Sequence, residues 1–315
     1  MDGTASGWYF STMPRAGRLA TSVRTVPFHR TKYGRELLLD AAFLHDLPAF
    51  DFSDRPYALD FHDILLVTRG RGTLALDGRS YAAAPGVVLF TRPGEVRRFR
   101  VKGLDGACLF FSADFLAEAF ADPRFLQRFA CFRPDRPSAA LPLHAGQQRS
   151  FLALFRRMTA EVASLRHDAP HALRAQLYEM LVALDRWYVA RHRAPARPAP
   201  NGVVDRFREM VDTEFERQRR VAEYARRLGL TPGHLNVLCR RQLGRSAGAC
   251  LRARVRLEAQ RLLLYTDLTS AEVGYRLGFE DPAYFARFFR REAGEAPARY
   301  RAARRADEAR YDRGA

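Results

Sequence analysis

An internal repeat in the last third of the chain restricts its fold more than any other feature. Residues 227–244, RLGLTPGHLNVLCRRQLG, align with residues 276–294, RLGFEDPAYFARFFRREAG, after one extra residue in the second turn. Each copy has the pattern of a short helix, a glycine turn and a second helix. Thr231 and Asp281 stand where N-caps of the second helices belong, and each is followed by a proline. The pattern predicts two helix-turn-helix units in tandem.

Helical periodicity divides each second helix into a buried face and an outward face. The residues expected in the core are Leu235, Leu238, Cys239, Phe285, Phe288 and Phe289. The residues expected to face DNA are Gly233, Asn236, Val237, Arg240 and Arg241 in the first unit and Ala283, Arg287, Arg290 and Arg291 in the second. Small residues permit close approach in the major groove, where arginine pairs with guanine and asparagine with adenine. Neither outward set contains a carboxylate.

Positive charge is concentrated in the same region. The formal net charge of the chain is +17. Residues 217–261 contain twelve arginines, and the only carboxylates among them are Glu223 and Glu258. Such a block suits a polyanion such as nucleic acid. Because Lys32 and Lys102 are the only lysines in the chain, compositional drift toward arginine is the alternative cause, and charge alone does not decide between the two.

The first half of the chain has the pattern of short strands separated by turns. The apolar or alternating runs lie within residues 57–112 and are interrupted at Arg69–Gly72, Asp77–Gly78, Pro85–Gly86 and Pro93–Gly94. Asp77–Gly78 predicts a type I′ hairpin, because both central residues of that turn need a positive φ. Many short strands at this spacing predict a sandwich or a small barrel.

Two amphipathic helices follow, with a break at residues 167–170. Their apolar stripes contain Phe151, Leu154, Phe155, Met158 and Val162 in the first helix and Leu173, Leu177, Met180, Leu181, Leu184 and Trp187 in the second. These stripes either cover the barrel or pair with a second copy of the chain, and periodicity does not distinguish the two arrangements.

The predicted fold class is α+β multidomain, with an N-terminal β-barrel or cupin-like domain, a helical hairpin and a C-terminal all-α double helix-turn-helix domain. The three prolines within residues 191–202 mark the linker between the two parts. The predicted segments are a loose N-terminal segment at 1–22, a sensor domain at 23–145, the hairpin and candidate dimerisation element at 146–192, a linker at 193–202, the double helix-turn-helix domain at 203–306 and a tail at 307–315.

Residues 221–301 resemble the DNA-binding domain of AraC/XylS-type bacterial transcription regulators. The most specific part, residues 271–301, matches that family's Gly-Phe turn, Tyr-Phe-x-Arg-x-Phe helix and Gly-x-x-Pro-x-x-Tyr-Arg ending. The residues that match the family's linker helix are Leu251, Arg256, Leu257, Ala259, Leu262 and Leu263. The resemblance implies that the two second helices lie in successive major-groove segments, with positions 233, 236, 237, 283 and 287 nearest the bases.

The second helix of the first helix-turn-helix unit has few side chains that can hydrogen-bond to base edges. Gly233 and Val237 cannot hydrogen-bond bases through their side chains. We therefore expect this unit to read thymine methyl groups or DNA shape, with Asn236 and Arg240 as its polar contacts.

The first half is similar, more weakly, to the cupin-type sensor domain found at the N-terminus of that family. The matching parts are the Gly-x-Gly-x-x-x-x-Asp-Gly run at residues 70–78, Pro85–Gly86 and residues 93–96. The resemblance implies a closed apolar barrel whose mouth takes a small molecule.

Metal binding by this barrel is not expected. Enzymatic cupins hold a metal with several histidines and a glutamate, whereas His62 stands alone in its strand and Arg97 occupies the place of a second-motif histidine. His62 is expected to be a half-buried strand residue. Arg97, Arg98 and Arg100 instead suggest an anionic effector.

Together these features predict a ligand-responsive, sequence-specific transcription regulator that binds double-stranded promoter DNA. The resemblance favours an activator and a homodimer, and RNA polymerase is a further candidate partner. We expect neither catalysis nor a cofactor. Two alternatives stay open, a metal-dependent cupin enzyme with a nucleic-acid-binding appendage and a non-specific architectural DNA binder.

Location follows from what the chain lacks. No apolar run is long enough for a membrane helix, and the N-terminus has no apolar signal-peptide core. The four cysteines, Cys108, Cys131, Cys239 and Cys250, show no CxxC spacing. We expect a cytoplasmic protein whose cysteines are reduced, small hydrophobic residues.

Overall fold

The computed structural model describes residues 23–303 except 27, 29–30, 33–34, 37, 48–55, 121–124, 135, 165 and 194–201. The chain separates into two compact units, with Val23–Pro195 in the first and Ala196–Ala315 in the second. The predicted N-terminal segment, nearly all of the predicted linker and the predicted tail lie outside the described residues. The domain bounds given above therefore stay predictions. None of the described helices is both long and apolar enough to cross a membrane.

In its described residues, the first unit has one large sheet, one two-stranded sheet and three α-helices. Its strands are β1 (Arg24–Val26), β2 (Thr31–Lys32), β3 (Arg35–Glu36), β4 (Leu39–Phe43), β5 (Tyr57–Leu59), β6 (His62–Leu76), β7 (Arg79–Ala83), β8 (Val87–Thr91), β9 (Val96–Phe111) and β10 (Ala140–Pro142). Its α-helices are α1 (Asp114–Phe120), α2 (Ala145–Ser164) and α3 (Ala169–His192). The main sheet has the order β1-β5-β9-β6-β8-β10, with β4 also paired to β9 and β7 to β6, while β2 and β3 form a separate pair.

Two long strands form the centre of the sheet. β6 has 15 residues and β9 has 16, and they pair antiparallel with register shifts between Val67 and Arg71. Gly70 has a φ of +87° there, and a Cβ on Gly72 would lie 2.0 Å from the Arg100 carbonyl oxygen. The predicted turn at Arg69–Gly72 is therefore wrong, because these glycines form an irregularity through which the strand continues.

The other hairpin prediction is confirmed. Asp77 and Gly78 have φ values of +47° and +78°, and Leu76 pairs with Arg79 on the other side of the turn. Both central residues therefore have the positive φ of a type I′ turn.

Two apolar cores occupy the two faces of this sheet. Ile64 and Leu66 belong to the first core, which also contains the buried residues of α2 and α3. Leu65 and Leu74 belong to the second core. Leu65 and Leu74 lie on either side of the β6 irregularity but pack in the same core. The sheet therefore bends at the irregularity, so that both halves of β6 contribute to this core.

The apolar stripes of the hairpin helices are buried within the same chain. All of the predicted stripe residues except Trp187 are members of the first core, and Trp187 is partly buried against it. Of the two arrangements left open by periodicity, the structure has the one in which the stripes cover the sheet. A second copy of the chain would have to contact other residues.

The second unit is all-helical around one core. Its helices are α4 (Gly202–Glu214), α5 (Val221–Arg227), α6 (Pro232–Leu243), α7 (Ala247–Tyr265), α8 (Ser270–Arg276) and α9 (Pro282–Ala293), followed by a helical segment at 297–303. Helices α5–α6 and α8–α9 are the two repeat units, and α7 joins them. The predicted fold class, a sheet-rich first part followed by an all-helical part, is confirmed.

Candidate nucleic-acid interface and interior polar cluster

The second helices of the two repeat units, α6 and α9, begin and end with the same signals. The Thr231 hydroxyl accepts a backbone N–H of α6 at 3.2 Å, and the Asp281 carboxylate accepts two backbone N–H groups of α9 at 2.8 and 3.1 Å. Gly244 and Gly294 terminate the helices with φ values of +68° and +85°. The predicted N-caps are confirmed. Because both ends are set locally, the residues of each helix that face the core are set as well.

The outward face of α6 is accessible along its length. Leu235 and Cys239 are fully buried, whereas Val237 is 58% exposed. Gly233, Arg240 and Arg241 are also exposed. The Val237 side chain is therefore accessible to a binding partner. Direct DNA contact by these residues stays a prediction.

Asn236 has a structural contact that the sequence did not reveal. Its side-chain oxygen accepts the backbone N–H of Ala247 at 3.0 Å, at the first residue of α7. The side chain is half-buried. Asn236 therefore connects the two helices, and its amide N–H group is the part left to donate to a base acceptor.

The outward face of α9 carries three exposed arginines. Ala283, Arg287, Arg290 and Arg291 are all exposed. The Arg287 side chain is 68% exposed, and its Nη2 lies 3.7 Å from an Asp281 oxygen. Ion pairs this exposed contribute little to stability, so the Arg287 guanidinium can exchange Asp281 for a base or a phosphate at small cost.

A surface cleft lies beside the start of α9. It has a volume of about 400 Å³ and is lined by Arg219, Gly278, Phe279, Glu280, Asp281, Tyr284 and Arg287. The Arg219 guanidinium stacks 3.6 Å from the centre of the Phe279 ring. Its Nε and Nη2 atoms are buried and have no hydrogen-bond partner among the described residues. Burial lowers the pKa of Arg219 from its ordinary value.

Neither Tyr284 nor the position of Arg219 was predicted from the sequence. Tyr284 is 52% exposed although it precedes the fully buried Phe285. Arg219 comes from the segment between α4 and α5, far from α9 along the chain. A tyrosine three residues before Arg287 on α9 is the sequence signal that could have indicated this cleft.

The first unit contains a buried polar cluster beside its second core. Arg97 and Asp63 form an ion pair there, and their side chains are 1% and 4% exposed. Arg97 Nη1 also donates to the Thr91 hydroxyl at 3.2 Å, and its guanidinium lies 4.9 Å from the centre of the Tyr57 ring. Asp63 neutralises the charge of Arg97, so the structure does not support Arg97 as an attractor of an anionic effector. The second carboxylate oxygen of Asp63, Oδ1, has no hydrogen-bond partner among the described residues.

His62 and Glu95 are structural residues in this fold. The His62 ring is buried and stacks on Phe111 with 5.3 Å between ring centres, and burial lowers its pKa to about 3. The expectation of a half-buried His62 was wrong, because the aromatic side chains of the first core enclose the ring. Glu95 accepts hydrogen bonds from Arg92 Nε at 2.9 Å and Arg136 Nη2 at 2.8 Å. Burial alone would raise the pKa of Glu95, but the Arg92 and Arg136 charges lower it to about 2.

The described part of the chain contains no candidate metal site. Among the described residues, no group of three or more His, Cys, Asp or Glu side chains is arranged to hold a metal ion. The metalloenzyme alternative therefore has no supporting observation in the described parts of the first unit.

Comparison with known proteins adds two family matches and full-length relatives. A model of the AraC-like ligand binding domain matches residues 45–181, and a model of a helix-turn-helix domain matches residues 224–303. The arabinose operon regulatory protein of Escherichia coli K12 is 26% identical over 257 residues, covering 80% of this chain and 84% of that protein. The HTH-type transcriptional activator RhaS of Klebsiella pneumoniae 342 is 25% identical over 275 residues, covering 85% of this chain and 94% of that protein.

Among solved structures, the DNA-binding domain of AdpA in complex with a target DNA aligns with 33% of this chain and 94% of that chain. The identity is 31% and the TM-score is 0.31. The two family matches follow each other in the same order as the two structural units, and the relatives align with both. The chain belongs to the AraC family, with an AraC-like ligand-binding domain followed by a helix-turn-helix domain.

Proposed function

We propose that this chain is a ligand-responsive, sequence-specific transcription regulator that binds promoter DNA through α6 and α9. The observation that carries the proposal is the repeated outward face. Both helices have a fully buried apolar side, and both expose small residues and arginines on the other. A major groove admits such a helix, and arginine is the residue that most often reads guanine there.

The exposed residues divide into two roles. The predicted residues in the first halves of the two helices, the parts of a recognition helix that approach base edges, are Gly233, Asn236, Val237, Ala283 and Arg287. Arg240 and Arg241, with Arg290 and Arg291, lie in the last turns of α6 and α9. We assign to these four the contacts with phosphates, which supply affinity and salt dependence but no sequence information.

The effector would bind the first unit. The family match over residues 45–181 supports a ligand-binding role for it. The buried Asp63 oxygen that lacks a hydrogen-bond partner supports a position beside Thr91 and Tyr57, because an O–H or N–H donor of a ligand would satisfy it.

Further parts of the proposal rest on the relatives. RhaS is named a transcriptional activator, which supports activation and hence RNA polymerase as a partner. We propose a homodimer that contacts its second copy outside the buried stripes of α2 and α3. With DNA as its partner, the protein would act in the cytoplasm, without enzymatic activity and without a cofactor.

Selection of binding sites from random duplex DNA tests the central claim. The full chain would be used at near-physiological salt, with an Arg240→Glu, Arg287→Glu double variant as the matched control. We expect enrichment of a motif with two sub-sites about one helical turn apart. The wild-type protein should prefer this motif over random DNA by about a thousandfold or more.

Two results would contradict the proposal. Similar affinity for every duplex would identify a non-specific architectural binder. If the full chain enriches no motif, selection with residues 201–315 alone separates the causes. Enrichment by this part would show that the full chain needs an effector, and its failure would show that DNA is not the specific partner.

A further inference from the structure

Two exposed side chains, His234 and Tyr284, occupy equivalent positions at the starts of α6 and α9. His234 is the third residue of α6, and Tyr284 is the third residue of α9. Each follows the proline at the first helical position by two residues, so the repeat places them in the same geometry. His234 is exposed, and Tyr284 is 52% exposed. Both side chains are therefore accessible to a partner that approaches the first turn of its helix.

The N-caps fix the backbone of both residues. The Thr231 hydroxyl accepts the backbone N–H of His234 at 3.2 Å, and the Asp281 carboxylate accepts the backbone N–H of Tyr284 at 3.1 Å. Each side chain therefore leaves its helix from a backbone position that is set within the first turn. The N-terminal residues of a recognition helix are the ones that contact base edges.

Helical geometry places both residues beside residues already predicted to face DNA. His234 precedes Val237 by three positions and Tyr284 precedes Arg287 by three, so the members of each pair are neighbours on the helix surface. Val237 is 58% exposed, and the Arg287 guanidinium lies 5.9 Å from the centre of the Tyr284 ring. Tyr284 and Arg287 also line the same cleft. A partner that reaches Val237 and Arg287 therefore also meets His234 and Tyr284.

His234 has the hydrogen-bonding capacity that Gly233 and Val237 lack. Neither of those residues has a polar side-chain atom, and the Asn236 side-chain oxygen already accepts the Ala247 N–H at 3.0 Å. A histidine ring has at least one N–H donor in either protonation state. In the major groove, guanine presents two acceptors, N7 and O6. The His234 ring therefore suits a guanine at the start of α6.

We propose that His234 and Tyr284 are base-reading residues of the two recognition helices. The His234 ring N–H donates to a guanine, and the Tyr284 hydroxyl hydrogen-bonds to a base edge near the base that Arg287 reads. Three residues of an α-helix span about 4.5 Å and successive base pairs are about 3.4 Å apart, so the Tyr284 and Arg287 contacts lie within about two base pairs of each other. This inference rests on the proposed function, because it assigns further residues to the same DNA interface.

Selection of binding sites from random duplex DNA, with the full chain at near-physiological salt, tests His234. Arg287→Ala identifies the α9 sub-site, so the other sub-site belongs to α6. His234→Ala should reduce the guanine preference at one position of the α6 sub-site from about fivefold, the net effect of one hydrogen bond, to nearly none. His234→Gln should move the preference at that position toward adenine, because glutamine pairs with adenine N6 and N7.

The same selection tests Tyr284. Tyr284→Phe removes the hydroxyl and keeps the ring, which lies 5.9 Å from the Phe279 ring. This variant should lose the preference at one position of the α9 sub-site, within about two base pairs of the position that Arg287→Ala relaxes. The matched controls are Tyr275→Phe, at a tyrosine of α8 that is 57% exposed, and His171→Ala, at an exposed histidine of α3. Both controls should select the wild-type motif.

The outcomes separate this assignment from the proposed function. If His234→Ala and His234→Gln both select the wild-type motif, His234 does not read a base. If Tyr284→Phe selects the wild-type motif, or changes a position outside the α9 sub-site, the role of Tyr284 is refuted. In these cases the wild-type motif is still selected, and the proposed function stands. If the wild-type protein has the same affinity for every duplex, the proposed function fails, and the assignment of both residues fails with it.

Discussion

The contribution of Arg287 to the discrimination between DNA sequences can be measured with a single substitution. The Arg287 side chain is 68% exposed, with an ion pair to Asp281 at 3.7 Å and the centre of the Tyr284 ring 5.9 Å from its guanidinium. We expect Arg287→Ala to weaken binding to the selected site by about 1–3 kcal/mol, with a much smaller loss on random DNA. Fluorescence anisotropy at fixed salt measures both affinities. Arg186→Ala, which removes one exposed arginine from α3, is the matched control, and equal losses on both DNAs would remove Arg287 from the base-reading set.

Arg219 lies in the same cleft but is held by its contact with Phe279 at 3.6 Å. A phosphate oxygen would satisfy the buried Nε and Nη2 atoms that lack partners among the described residues. Arg219→Ala should therefore weaken selected and random DNA alike, and the slope of affinity against salt should decrease by about one. Arg219→Lys should recover only part of the loss, because lysine cannot stack and donate as a planar fork. A loss confined to the selected site would contradict the phosphate role.

At the level of secondary-structure elements, the turn between α8 and α9 depends on one glycine. Gly278 has a φ of +74°, and a Cβ added there would lie 2.7 Å from the Glu216 carbonyl oxygen. Gly244, which ends α6, has a φ of +68° but has nothing within 4 Å of its Cβ position. Gly278→Ala should therefore destabilise the second unit by clearly more than the cost of about 1 kcal/mol expected for Gly244→Ala.

Thermal unfolding followed by circular dichroism compares the two variants directly. Both substitutions carry the same conformational cost of a positive φ, so the difference between them isolates the contact with Glu216. Equal melting temperatures would show that the segment between α4 and α5 moves freely away from Gly278.

At the scale of the whole molecule, the stability of the first unit should depend on pH through the buried His62. Burial lowers its pKa from the ordinary value of 6.5 to about 3. Between these two pH values the unfolded chain binds more protons than the folded chain. The free energy of unfolding should therefore decrease as the pH falls below 6.5, by up to about 1.4 kcal/mol per pH unit from this group. Glu95, with its pKa lowered to about 2, acts in the same direction only below its ordinary value of 4.5.

Urea unfolding at pH 7.0 and pH 5.5, followed by tryptophan fluorescence, measures this dependence, since Trp8 and Trp187 both precede the linker. His62→Phe should lose most of the difference, because phenylalanine can still stack on Phe111 but takes up no proton. A variant with the same pH dependence as the wild type would show that other groups are responsible.

The sequence by itself determined what depends on neighbours along the chain. Thr231 and Asp281 cap α6 and α9, Phe285 and Phe289 are buried, and Asp77–Gly78 is a hairpin turn, as predicted. Helical periodicity, capping and tight turns involve residues a few positions apart, so a local pattern is enough to predict them. The repeat also indicated the protein family, because it combines many such local patterns in one order.

The tertiary structure alone decided which distant residues meet. An ion pair joins Asp63 to Arg97, which are not partners in the strand register, and the segment before α5 brings Arg219 onto Phe279. The predicted turn at Arg69–Gly72 was wrong for a related reason, because only pairing with β9 keeps that segment extended. Contacts between residues far apart in sequence depend on how whole elements pack and pair, and residue type and spacing do not specify that geometry.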